Sequence, residues 1–174
     1  VQVCALTGCA AVLLGCEGAK TLHSWAGIGL ASGGTLEIAD KVINSSYKSK
    51  IWKKTDVLIV DEVSMMSKKL FDLLNYIGKR TRRTPNLSFG GIQLVFSGDF
   101  YQLPPVGSQE QIETTEFCFE SVDWNITFPT VVELKTIFRQ SDKLYCKVLN
   151  QIRVGRLSKS SFNALKSRVK KYDV

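Results

Sequence analysis

The chain is poor in the residues that build metal centres. It has one histidine, His23, and its cysteines at 4, 9, 16, 118 and 146 form no CxxC pair. A structural zinc site needs clustered nitrogen and sulfur ligands, and an odd, scattered set of thiols makes no disulfide framework. Reduced, buried thiols in an intracellular protein are the reading that remains. No apolar stretch reaches the roughly 18 to 20 residues that span a bilayer. There is no internal repeat and no low-complexity tract, which excludes solenoids and biased linkers. The opening residues VQVCALTG show no initiator Met, basic n-region or cleavage pattern. They read as a strand joined midway, with the expectation that the N-terminus was cut from a longer polypeptide.

A further absence bears on chemistry. Capture of a nucleotide's phosphates needs a glycine-rich loop whose N–H groups cradle them and whose lysine reaches the outer groups. Gly15 to Thr21, GCEGAKT, imitates such a loop. Ala19 stands where the glycine before the lysine is required, and Leu14 stands at the other required glycine. The stretch therefore fails twice, and truncation rather than a divergent enzyme is the expectation, with true loss of the loop as the alternative.

What is present suits a single domain with a real core: 174 residues, of which 44% are hydrophobic. The 23 basic and 16 acidic residues leave a net charge of +7. That is compatible with a polyanionic partner without demanding one. Alternation over Val1 to Leu6 predicts a first strand, followed by a short helix over Cys9 to Leu14. Thr21 to Leu30 reads as a loop and short helix bent at Gly27 and Gly29. One or two helices are expected over the surface from Ile38 to Lys54. Ser67 is a suitable cap for a helix from Lys68 to about Arg80, with Leu70, Phe71, Leu74 and Ile77 as its buried stripe.

The cations of KRTRRTP, Lys79 to Pro85, either close that helix in solvent or form a phosphate-contacting loop. Glu113 to Trp124 reads as a loop and short helix. Thr130 to Leu134 reads as another core strand leading to Arg139. Beyond Asp142 the stripe Leu144, Val148, Leu149 and Ile152 predicts a helix. Ser158 is placed to cap a last one bearing Phe162, Leu165 and Val169. Alternating β and α elements make a parallel sheet flanked by helices the economical fold.

Two strands of that sheet end in acids. VLIVDE, Val57 to Glu62, delivers Asp61 and Glu62 to a carboxyl end, the edge where open α/β sheets bind ligands. IQLVFSGD repeats the layout from Ile92, turns at Gly98 and brings Gln102 beside the first strand's end. A nucleotide triphosphate needs one carboxylate to hold Mg²⁺ and another to orient water, and an amide there can sense the terminal phosphate.

These blocks carry a resemblance. LTGCAAVLLG (Leu6 to Gly15), TLHSWAGIGL (Thr21 to Leu30), VLIVDEVSMMS (Val57 to Ser67), FGGIQLVFSGDFYQLPPV (Phe89 to Val106) and LKTIFRQ (Leu134 to Gln140) resemble, in order, the motor core of Pif-type DNA helicases. That is the petite integration frequency family of superfamily-one helicases, related to RecD. Asp72 to Phe89, with Tyr76, Ile77 and Lys79, is similar to its signature region, and Ser88 replaces a common proline. The resemblance implies a RecA-like first motor domain over residues 1–140, with its phosphate loop upstream of Val1. Residues 141–174 would begin the connection to a second such domain.

It further implies ATP and Mg²⁺ as cofactors, Asp61 as the metal ligand and Glu62 as the activator of water. Gln102 would sense the γ-phosphate and Arg139 would neutralise it. Thr7, Gly8, His23, Ser24 and Trp25 fall on the family's first DNA-contacting motifs. Thr7 and Gly8 open a helix whose N–H groups suit a phosphate. His23 either touches a phosphate or is a hydrogen-bonded structural residue, and Trp25 either stacks on a base or belongs to the core.

Pro104 and Pro105 would stiffen the loop that carries Gln102. The parent would couple ATP hydrolysis to 5′ to 3′ movement on single-stranded DNA and open forked or structured DNA. It would do so in repair, recombination, replication or telomere maintenance, as a monomer, in the nucleus or mitochondrion of a eukaryote and otherwise in the cytoplasm. The alternative is a non-catalytic nucleic-acid-binding module, supported by the missing loop and by the basic clusters Lys79 to Arg83 and Lys166 to Lys171.

Overall fold

Val57 to Val60 is a β-branched and aliphatic run too short for a helix and bounded by polar residues, and it forms the central strand of the sheet. The computed structural model of the chain describes residues 1–29, 33–107 and 115–169. Its strands are β1 (Gln2–Ala5), β2 (Lys20–Thr21), β3 (Val57–Asp61) and β4 (Gln93–Phe96), in the order β2-β1-β3-β4. All pairings are parallel, with Ala5 opposite Asp61, Ala5 opposite Thr21 and Val60 opposite Phe96. A four-stranded parallel sheet flanked by helices is the fold expected of the sequence.

Parallel neighbours need crossovers, and helices supply them. The first is α1 (Gly8–Leu13); α2 (Leu22–Ala26), α3 (Thr35–Ile43) and α4 (Ser46–Lys54) follow between β2 and β3. Between β3 and β4 runs α5 (Lys68–Thr81), capped by the Ser67 hydroxyl accepting from the Leu70 N–H at 3.1 Å. Its buried stripe, Phe71, Leu74 and Ile77, packs with Leu58 and Val60 of β3 and with Phe89 in the core. The expected surface helices α3 and α4 also contribute Ile38, Val42 and Trp52 to that core. After β4 come a tight turn, Cys118–Glu120, and the short helix α6 (Trp124–Thr127).

Arg82 shows how the basic turn is used. Its guanidinium donates to the carbonyls of Gly90, Trp52, Thr55 and Lys53 at 2.7, 2.9, 3.1 and 3.2 Å. These include orphan carbonyls at the end of α4, so the side chain closes that helix and ties it to α5. Lys79 pairs with Asp123 at 3.2 Å.

The described residues fall into two units, Val1–Thr130 and Val131–Val174. The second contains α7 (Lys143–Arg153), capped by Asp142, and α8 (Lys159–Lys166), capped by Ser158. The Ser158 cap is the one expected. Leu30, Glu113, Lys170 and Lys171, which several expectations included, lie outside the described residues.

One element is corrected. Thr130 to Leu134, expected as a core strand, has no regular structure, with Val131 83% and Leu134 90% exposed. An extended segment becomes a strand only with a partner, and among the described residues this one pairs with none. Conversely β2 was unforeseen, because two residues are too few to show alternation.

Candidate functional site

The register of the sheet gathers the candidate residues at one edge. With Ala5 opposite Asp61 and Val60 opposite Phe96, the chain leaves β1, β3 and β4 at the same carboxyl end. Thr7, Asp61, Glu62 and the turn from Ser97 onward therefore share that edge, and Thr21 brings α2 to it from β2. This is the position where a ligand meets an open parallel sheet.

Two turns at the edge are locked together. The Ser97 N–H donates to the Val60 carbonyl at 2.8 Å, and the Val63 N–H donates to the Ser97 carbonyl at 3.1 Å. Gly98 lies so close to the next turn, Val63–Met65, that a Cβ on it would stand 2.9 Å from the Val63 nitrogen. Only glycine fits there. Glu62, at the hinge, sits at φ 59 and ψ 38, a left-handed conformation disfavoured for any residue with a Cβ. Strain of this kind persists where the surroundings impose it, commonly at functional sites. Here it re-aims the chain between two consecutive carboxylates.

Gln102 is held by a residue the sequence had not singled out. Asp99 accepts from the Tyr101 N–H at 3.1 Å and from Gln102 Nε2 at 3.1 Å, while its carbonyl accepts the Gln102 N–H at 2.9 Å. An Asp two or three residues before the amide is the signal that would have found it. Phe100 anchors the same turn, with its ring centroid 4.9 Å from Phe119 and 5.9 Å from Phe117. Pro105 is buried and Gln102 exposed, so the loop offers the amide to solvent.

The DNA candidates divide. The Thr7 hydroxyl accepts from the Ala10 N–H at 3.2 Å and caps α1, with Gly8 exposed beside it. Ser24 is exposed on α2. His23 is partly exposed, and burial lowers its pKa below the ordinary value, which favours the neutral imidazole. Trp25 is corrected as a base platform. It is 1% exposed, its indole N–H donates to the Thr55 hydroxyl at 3.2 Å, and its ring centroid lies 4.4 Å from that of Trp52. A ring enclosed in the core has no face to offer a base. Arg139 belongs to the second unit, exposed in an irregular segment.

A carboxylate pair at a strand end, with an oriented amide on a turn that leaves the same sheet edge, suits a hard cation that keeps waters and phosphate ligands as well. Among the described residues no cluster of His, Cys, Asp and Glu makes an all-protein cage.

A family model described as PIF1-like helicase matches residues 1–163. The ATP-dependent DNA helicase RRM3 of Saccharomyces cerevisiae is 39% identical over 158 residues, which cover 91% of this chain and 21% of that protein. The ATP-dependent DNA helicase PIF7 of Trypanosoma brucei brucei is 42% identical over 170 residues, covering 95% and 16% respectively. Among solved structures, Pif1 helicase from Candida albicans aligns with TM-score 0.85 and 39% identity, over 99% of this chain and 38% of that one. Pif1 from Bacteroides, in complex with ADP-AlF3 and ssDNA, aligns with TM-score 0.78 and 29% identity, over 99% and 40%. The chain thus spans only 16 to 21% of the length of these two curated relatives.

Proposed function

The chain belongs to the PIF1-like helicase family, and from that premise we propose that it is the first motor domain of an ATP-dependent DNA helicase. The observation that carries the reading is the convergence of Asp61, Glu62 and the Asp99-held Gln102 on one carboxyl edge of the parallel sheet. In this reading residues 1–140 are the motor domain and residues 141–174 begin its connection to a second one.

Bound Mg²⁺ would neutralise phosphate charge, and Asp61 is the residue to hold it. Glu62, at the left-handed hinge that follows Asp61, orients water and takes its proton. Gln102 reports the state of the terminal phosphate through the turn that Asp99 and Phe100 fix. Arg139 adds charge neutralisation. Thr7, Gly8, Ser24 and His23 are the proposed contacts to the DNA backbone, where donors and hydroxyls position a strand without reading its bases.

The partners in this proposal are single-stranded and forked or structured DNA, and the parent is a monomer moving 5′ to 3′. It acts in repair, recombination, replication or telomere maintenance, in the nucleus or mitochondrion of a eukaryote and otherwise in the cytoplasm. No helix among the described residues is long and apolar enough to cross a membrane.

The test is DNA-stimulated ATP hydrolysis by the full-length parent and by its Glu62→Gln form. Losing a positioned general base costs about 10²- to 10⁴-fold in rate. A drop of that size at retained DNA affinity is expected. Equal rates in the two forms would remove Glu62 from the proposed role.

A further inference from the structure

Cations that the motor reading leaves unused collect on α4 and at the turn after α5. Helix α4 carries four lysines and no acid over Ser46–Lys54. Its inner face buries Ser49 and Trp52, while Tyr47, Lys50 and Lys54, spaced i, i+3 and i+7, are exposed together on the outer face. Arg82 binds the carbonyls of Lys53 and Thr55, and so draws the end of α5 against the end of α4. Arg83, the next residue, is exposed and stands beside this junction. The junction lies before the start of β3. Thr55 precedes Asp61 by six residues of extended chain, roughly 20 Å.

Helix-dipole complementation explains Lys53 and Lys54, which end α4, and Arg80, which ends α5. It does not explain Lys50 in mid-helix or Arg83. Arg83 follows the cap residue of α5, where the Thr84 N–H donates to the Lys79 carbonyl at 3.2 Å and the backbone turns to φ 58. Glycine is the ordinary occupant of such a position. Among the described residues no ion pair involves Lys50, Lys53, Lys54, Arg80 or Arg83. The remaining observation is Tyr47, whose side chain is 76% exposed beside the lysines. Unpaired cations alone would suit any polyanion; an exposed aromatic ring among them suits one that also has stackable bases.

We propose that the outer face of α4, with Arg83 of the adjoining turn, is a second contact surface for single-stranded nucleic acid, made by residues other than those proposed at the carboxyl edge. Lys50, Lys54 and Arg83 contact backbone phosphates and Tyr47 stacks on a base. The inference does not rest on the motor reading, because it concerns binding by the chain itself.

The experiment measures binding of a fluorescent single-stranded oligonucleotide to the 174-residue chain by anisotropy, between about 50 and 200 mM salt. The patch variant combines Lys50→Ala, Lys54→Ala and Arg83→Gly; glycine suits the left-handed backbone, so the turn is kept. A control variant of equal charge combines Lys41→Ala, Lys147→Ala and Lys159→Ala. Three lost phosphate contacts should weaken binding about tenfold or more and flatten the log–log salt slope by about 2. The control should change neither.

Tyr47→Ala should weaken oligonucleotide binding while leaving polyglutamate binding unchanged. Equal losses in patch and control variants, no loss in either, or no binding by the unaltered chain would each overturn the inference. So would polyglutamate displacing the oligonucleotide at equal affinity with Tyr47 indifferent, which would mark a surface for acidic protein segments. A loss confined to Ser24→Ala would overturn it while leaving the proposed function standing. Inactive parent enzyme with patch binding intact would do the reverse.

Discussion

Glu62 is held in a backbone region that costs a residue with a Cβ about 1 to 2 kcal/mol. Glycine escapes that cost but gives up entropy in the unfolded chain, which offsets part of the gain. Glu62→Gly should therefore leave the urea midpoint unchanged or higher while removing the proposed activity. A fall of more than about 1 kcal/mol would show that the native turn is not under the inferred strain.

The buried thiols set a pH limit at the same scale. Burial pushes Cys4 and Cys118 from 9.0 up to about 12, with Lys20 partly opposing the effect at Cys4. Between those values the unfolded chain has released protons that the folded chain retains. Stability from these residues is thus present below pH 9 and falls as the pH rises toward 12. His23 acts on the acid side. Its folded pKa is below 6.5, so the unfolded state binds the proton more readily and stability declines as the pH drops beneath that value. Thiol labelling at neutral pH checks the burial directly: exposed Cys9 and Cys16 should react, and Cys4 and Cys118 only after unfolding.

Helix α5 and the turn after it depend on one close approach. A Cβ on Gly78 would stand 2.6 Å from the Phe89 carbonyl carbon, and Phe89 itself is buried at φ 51. Backbone cannot yield as a flexible side chain can, so Gly78→Ala should cost about 1 to 3 kcal/mol by denaturant unfolding. An unchanged midpoint would mean that the helix and the turn separate freely.

This helix was legible in the sequence because its determinants are local: a serine cap, a stripe at helical spacing and cations in the last turn. The acid-tipped strands were legible for the same reason. Asp99 was not, since an Asx-type clamp matters only once its turn is placed beside Gln102. Trp25 was left open between base and core because an indole's surroundings are tertiary, and a segment otherwise suited to a backbone contact buries this one against Trp52. Thr130 to Leu134 shows the opposite limit: β-branched composition predicts a strand, but only a partner edge makes one.

At the scale of the molecule, the parallel register explains why distant blocks of sequence make one site. Each strand exits at the same edge, and each exit supplies a different function: a hydroxyl cap, paired carboxylates, a clamped amide. The same architecture leaves apolar surface open. β4 pairs with β3 and with no other strand among the described residues, and Val95 on it is 46% exposed. In the second unit Val131, Leu134 and Phe138 are 83, 90 and 91% exposed. Apolar side chains exposed where they adjoin one another are the surface through which chains associate. The 174 residues studied alone should therefore associate as concentration rises, seen as an increasing weight-average mass in sedimentation equilibrium. Leu134→Ser with Phe138→Ser should suppress that association, while the parent should sediment as a monomer under the same conditions. A monomeric chain at all concentrations would mean that these side chains find cover within the 174 residues themselves.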